Sequence, residues 1–298
     1  HHPSPLKLMQ EPPPINLKRL RTLLVLGRTS NLPTVWSNCI VGWILAGGDF
    51  KFSFVTVILG ATLLYVGGMY LNDAVDISFD RKYRAERPIP SGQISHREVV
   101  VLGAAWMFLG LVCFALTSWN SLFWALLLVA AILVYDFFHK LVTFAPVLMG
   151  SCRFLLLLTA ASAAQGQVTG PAFWSAIALA AYIIGLSYLA RQESRRGTLK
   201  LWPLSLLLCP VALALLTNAG AYFKTACLLS ILLIIWVAWC LRNLWGPQRN
   251  IGYAVSGLLA GIVFVDLLAL ATANVWLLAL FFVLFLLARI FQRYIPAT

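Results

Sequence analysis

The sequence predicts an all-α, polytopic membrane protein, and three observations carry that expectation. Hydrophobic residues make up 61% of the chain and charged residues only 11%, outside the range of a water-soluble domain. Uncharged apolar runs of roughly 17 to 25 residues recur along it, the length that takes a helix across hydrocarbon. These runs are continuous and do not alternate in polarity, which excludes a membrane β-barrel. A closed barrel is the only other architecture that satisfies every backbone group in lipid.

The elements follow in order. Residues 1–30 stand apart: Pro3 to Pro14 is proline-rich and expected to be disordered, and INLKRLRTLLVLGRTS at 15–30 is a basic amphipathic stretch suited to a membrane surface. No cleavable leader is evident. From 31 to 298 the chain reads as one transmembrane domain of nine to ten helices. Ten apolar segments are expected, at 33–48, 52–74, 98–117, 120–138, 144–164, 171–190, 201–217, 222–242, 251–273 and 275–294. The second ends in a run of acids, and Pro88 and Pro90 then stop the helix and turn the following basic loop back. The fourth ends in Tyr135-Asp136-Phe137-Phe138-His139-Lys140, where an intrahelical Asp136–Lys140 pair competes with a lysine free to serve a ligand. The sixth ends in Arg191-Gln192-Glu193-Ser194-Arg195-Arg196.

Positive charge orients the bundle. With ten spans, one side collects Lys18, Arg19, Arg21, Arg28, the 81–97 cluster, Lys140, Arg191, Arg195, Arg196 and Lys200, while Lys51 and Lys224 stand on the other. That asymmetry places both termini and the acidic run in the cytoplasm, in what reads as a bacterial inner membrane. The net charge of +12 then belongs to loops beside anionic headgroups, and nucleic acid is excluded as a partner. The six cysteines fall inside apolar segments without CxxC spacing and read as small buried side chains.

The chemistry concentrates where the second segment ends. Asn72, Asp73, Asp76 and Asp80 hold three of the ten acidic residues. Helical steps of three and four put the aspartates along one face, where carboxylates repel each other unless a cation joins them. Oxygen-only ligands suit Mg²⁺, which keeps waters and shares its shell with substrate phosphates. Five cations follow (Arg81, Lys82, Arg84, Arg87, Arg97), and Arg84 and Arg87 are within reach of a phosphate held by Asp76 and Asp80. Metal plus arginine is what a diphosphate needs. Arg153 and Asp266 lie inside spans, so either they pair with each other or Arg153 joins the diphosphate ligands. Trp36, Tyr65 and Tyr70 are candidates to line a pocket and face a carbocation.

The pattern Asn72-Asp73-x-x-Asp76-x-x-x-Asp80, with Arg87-Pro88-Ile89-Pro90-Ser91-Gly92 and Leu32-Pro33-Thr34-Val35-Trp36-Ser37-Asn38, resembles the UbiA superfamily of intramembrane prenyltransferases. The resemblance implies a ring of helices around a central cavity with a cytoplasmic polar cap. It implies that Asn72, Asp76 and Asp80 bind Mg²⁺ with Asp73 in support, and that Asn38 and Lys140 face the same diphosphate. Two departures stand out. The family's second motif, DxxxD at the end of span six, is replaced by Glu193 among Arg191, Arg195 and Arg196, which implies one firmly held metal with arginines sharing the neutralisation. The family typically has nine spans, so one C-terminal segment is expected to be broken or re-entrant.

The activity implied is Mg²⁺-dependent transfer of an isoprenoid chain from an allylic diphosphate, farnesyl or geranylgeranyl, with release of diphosphate. The acceptor is a small polar molecule, either a cyclitol-like hydroxyl or an aromatic ring, and Asp136 or Glu193 is the candidate for taking its proton. Membrane lipid is the other partner. Two further readings stand beside this one: a transporter with a mid-bilayer site, and a weakened relative that only binds isoprenoid diphosphate.

Overall fold

The computed structural model describes residues 16–192, 200–245, 249–272 and 274–297. Glu193, Arg195 and Arg196 lie outside the described residues. Among the described residues every regular element is helical: α1 (Leu17–Leu26), α2 (Leu32–Leu45), α3 (Phe52–Val75), α4 (Ile77–Tyr83), α5 (His96–Thr117), α6 (Trp119–Phe138), α7 (Ala145–Gln165), α8 (Gly170–Ala190), α9 (Pro203–Leu207), α10 (Cys209–Thr217), α11 (Ala221–Leu241), α12 (Ile251–Ala260), α13 (Ile262–Ala269) and α14 (Val275–Phe291).

Among the described residues seven helical segments are long and apolar enough to cross a membrane: α3, α5, α6, α7, α8, α11 with its 3-10 extension, and α12 continued by α13. The chain is an integral membrane protein. The other three expected spans are shorter. Helix α2 has 14 residues, about 21 Å at 1.5 Å per residue, less than a hydrocarbon core. The segment expected at 201–217 is two pieces, α9 and α10, each with proline in its first turn, where the missing N–H interrupts the helical ladder.

The segment expected at 251–273 is also broken, at Gly261, so two C-terminal segments are interrupted where one was expected. Side chains supply bonds at this break. Tyr182 Oη donates to the Leu258 carbonyl at 2.8 Å, and Trp236 Nε1 donates to the Gly257 carbonyl at 2.9 Å. A Cβ at Gly261 would stand 2.8 Å from Tyr182 Oη and 2.9 Å from the Trp236 ring. Glycine is therefore required for these donors to approach a backbone that lipid cannot hydrate.

Helix α7 is the central post, packed on α2, α6 and α8. Its approach to α2 is set by Gly42, where a Cβ would lie 2.3 Å from the Leu157 carbonyl. That close contact brings Asn38, one turn before Gly42, beside Arg153, one turn before Leu157. At the end of the bundle where α3 runs into α4, the loop after α4 is folded back as the prolines predict. Ile89 and Ile94 are buried with Leu26, Tyr70 and Ala74, which pins the loop against α1 and α3. Helix α1 is fastened to the same layer by Thr22 Oγ1, which donates to Gln93 Oε1 at 3.0 Å, by Tyr70 Oη donating to the Leu23 carbonyl at 3.0 Å, and by an Arg19–Glu98 ion pair.

Candidate active site

Helix α3 gives way to α4 at Asp76, where Asp76 N bonds the Asn72 carbonyl and Asp80 N bonds the Asp76 carbonyl, both at 2.9 Å. The four motif residues are thus divided between the end of α3, the junction and α4, and their polar contacts differ. Asp73 Oδ1 receives Arg28 Nη2 at 3.1 Å and Arg87 Nη1 at 3.5 Å. Asp76 receives Lys140 Nζ at 2.6 Å on Oδ1 and faces His139 Nε2 at 3.4 Å on Oδ2. Asn72 accepts from Arg28 at 3.3 Å and donates to Asp136 Oδ1 at 3.2 Å. Asp80 is buried, at 3% exposure.

Burial pushes the Asp76 carboxyl up, but His139 and Lys140 outweigh it and hold the group below its ordinary value. At Asp80 burial wins: with Asp73 and Asp76 adding to it and Arg87 only partly opposing, that carboxyl is raised. Three buried oxygens, Asp73 Oδ2, Asp80 Oδ1 and Asp136 Oδ2, have no partner among the described residues. Unpartnered buried carboxylate oxygens are costly and suit a hard cation. No group of three His, Cys, Asp or Glu side chains forms a ready protein cage among the described residues. A divalent ion here would take one or two carboxylates and complete its shell with phosphate and water oxygens, the habit of Mg²⁺ and not of Ca²⁺. The residues fit that ion, with Asp73, Asp76 and Asp80 as donors.

Asp136 belongs to two environments. It bonds Asn72 of the cluster, and it lines a cavity of about 60 Å³ bounded otherwise by apolar side chains of α3, α6 and α7, with Tyr65, Tyr135 and Arg153 as its other polar walls. The lining is apolar enough for an isoprenoid.

Several expectations need correction. Lys140 does not pair with Asp136, four residues before it. Helix α6 ends at Phe138, so Lys140 lies past the helix and swings to Asp76, over the Phe79 ring at 3.9 Å. Asn38 and Arg153 are not in contact with the aspartate cluster. Arg153 Nη1 donates to Asn38 Oδ1 at 2.8 Å, Arg153 Nη2 donates to Thr34 Oγ1 at 3.1 Å, and Asn38 Nδ2 donates to Asp266 Oδ2 at 2.6 Å. Asn38 thus stands between Arg153 and Asp266, so the direct pair that was one of the two readings of these residues is not made. Arg191 donates to the Val142 and Thr143 carbonyls at 3.2 and 2.9 Å, which ties the end of α8 to the α6–α7 link. Arg84 is exposed at the end of α4. Of the three aromatic candidates only Tyr65 lines the cavity. Trp36 donates to Thr62 at 3.0 Å, and Tyr70 is held under α1.

Arg28 was missed by reading the sequence, because it sits in a basic surface stretch among other arginines. It alone among the described non-glycine residues has a positive φ, +42°, a left-handed conformation that costs on the order of 1 kcal/mol. That turn between α1 and α2 aims its guanidinium at Asn72 and Asp73. The only sequence signal was its place one short turn, Thr29–Asn31, before the Leu32-Pro33 opening of α2. His139 faces Asp76 while stacking on Tyr135 with ring centroids 4.9 Å apart.

A model of the UbiA prenyltransferase family matches residues 31–296. The chain belongs to the UbiA prenyltransferase family. A 4-hydroxybenzoate octaprenyltransferase of Polaromonas sp. is 31% identical over 137 residues, 45% of this chain and 48% of that protein. A digeranylgeranylglyceryl phosphate synthase of Methanopyrus kandleri is 31% identical over 167 residues, 52% of this chain and 57% of that protein. The matched stretches span about half the length of these relatives. In three dimensions the fold is that of a UbiA homologue from Archaeoglobus fulgidus solved with GPP and Mg²⁺, at a TM-score of 0.61 and 16% identity over 85% of this chain and 98% of that one.

Proposed function

We propose that this UbiA-family chain transfers an isoprenoid group from an allylic prenyl diphosphate, farnesyl or geranylgeranyl, to a small acceptor in a Mg²⁺-dependent reaction. The carrying observation is that Asp136 joins a cationic, carboxylate-rich cluster to an apolar cavity. One side suits a diphosphate, and the lining of the other is apolar, as an isoprenoid chain needs. The relatives named above, and the homologue solved with GPP and Mg²⁺, support the donor class and the metal.

In this reading Arg28, Arg87 and Lys140 bind the diphosphate oxygens and hold the negative charge that grows as the carbon–oxygen bond breaks. Mg²⁺, bound through Asp73, Asp76 and Asp80, would add further neutralisation of the leaving diphosphate. Apolar walls keep water from the allyl cation, with the Tyr65 face beside it. The acceptor's nucleophilic atom bonds to the freed carbon, and its proton passes to Asp136 Oδ2. The acceptor is a hydroxyl on a polar ring or an aromatic ring, and the basic loops support a site on the cytoplasmic side of a bacterial inner membrane.

The test uses purified protein in vesicles with labelled farnesyl or geranylgeranyl diphosphate and acceptors of both kinds, with Mg²⁺ or with chelator. The reading expects diphosphate release and a prenylated product only with Mg²⁺. If diphosphate is not released with any acceptor, the reading is wrong.

A further inference from the structure

Arg153 is an intramembrane cation on the wall of the cavity, 8% exposed, and Asp266 is an intramembrane anion at 1%. They do not touch. Asn38 bridges them, accepting from Arg153 at 2.8 Å and donating to Asp266 at 2.6 Å, and Ser37 Oγ makes a second bond to the same Asp266 oxygen. Asp266 reaches α2 because the chain is broken at Gly261 and α13 starts afresh there. An uncompensated buried charge is expensive, and Asp136 on the same cavity already has Asn72 and the basic cluster around it. Asp266 is thus the carboxylate that this network assigns to Arg153.

We propose that Asp266 is a positioning residue for catalysis: acting through Asn38, it fixes and neutralises Arg153 so that a cation can develop in the adjoining cavity. This rests on the prenyl-transfer reading given above. Without the carboxylate, Arg153 presents a full positive charge to the cavity across a medium of low dielectric. That charge repels an allyl cation in the transition state. It does not repel the anionic diphosphate in the ground state, so the loss falls on turnover and spares binding.

Three proteins in vesicles, with Mg²⁺ and a labelled prenyl diphosphate, test this. Asp266→Asn keeps the shape and removes the charge, and is expected to lower kcat roughly 10-fold or more while KM for the diphosphate stays within about twofold or falls. Asp266→Asn combined with Asn38→Asp moves the carboxylate one step, into direct contact with Arg153, and is expected to regain most of kcat. Asp266→Asn combined with Arg153→Met removes both charges and is expected to be faster than Asp266→Asn alone, while the charge-keeping Asn38→Asp double variant, read against the wild type, keeps the test decisive if the single variant does not fold. A single variant with unchanged kcat, or folded double variants as slow as the single one, would overturn the proposal. A wild-type protein inert toward every prenyl diphosphate would overturn the prenyl-transfer reading itself, and the proposal with it.

Discussion

Lys140 Nζ lies 2.6 Å from Asp76 Oδ1, across an interhelical gap, although Asp136 precedes the lysine by one helical turn. The pairing holds the ends of α3 and α6 together and gives the aspartate cluster a cation in addition to Arg28 and Arg87. Lys140→Met keeps the stem over Phe79 and removes the charge. It should lower kcat/KM for the prenyl diphosphate by about 100-fold, of the order expected for a lost charge-stabilising group. Lys140→Arg should recover part of it, as read by diphosphate release.

Arg28 reaches Asn72 and Asp73 from a left-handed turn. Arg28→Gln should raise KM for the diphosphate by roughly 10-fold or more, because a neutral side chain replaces a charged donor. Steady-state kinetics on the two proteins decide this, and an unchanged KM would count against Arg28 as a diphosphate ligand.

Asp76 and Asp80 should respond to pH with opposite signs. The folded pKa of Asp76 is lowered, so its pairs with Lys140 and His139 contribute stability above its ordinary pKa. That contribution disappears as pH falls through the lower folded value. The folded pKa of Asp80 is raised, so its ionised form costs stability above that raised value, and acid relieves the cost. At neutral pH without metal, Asp80→Asn should raise Tm by about 2 °C or more, and Asp76→Asn should lower it. Thermal melts with and without Mg²⁺ should also show that the metal-dependent rise in Tm is lost with Asp80→Asn.

Gly42 tests the frame beneath the site. Gly42→Ala puts a Cβ 2.3 Å from the Leu157 carbonyl, which forces α2 and α7 apart and should cost about 1 to 3 kcal/mol. The same shift separates Asn38 from Arg153, so the variant should lose thermal stability and turnover together. Tm and kcat measured on one preparation would show whether the two losses travel as a pair.

Composition and spacing were enough to determine a helical membrane protein with one carboxylate-rich end. Lipid leaves the backbone few choices, and Asn72, Asp73, Asp76 and Asp80 fall within one short stretch of chain whose spacing is local. The loop through Pro88 and Pro90 was legible for the same reason, since proline acts on its own neighbours. Partner choice was not legible. Whether Lys140 meets Asp136 or Asp76, whether Arg153 meets Asp266 or Asn38, and whether Arg28 reaches the site at all depend on how α1, α2, α6 and α7 pack. Packing turns on contacts between distant residues, such as Gly42 against the Leu157 carbonyl and Gly261 beneath Tyr182, and periodicity along a single helix carries no record of them. The tertiary structure alone decided which charges compensate one another, because in a low dielectric an ångström of helix approach changes those energies more than the identity of the residue does.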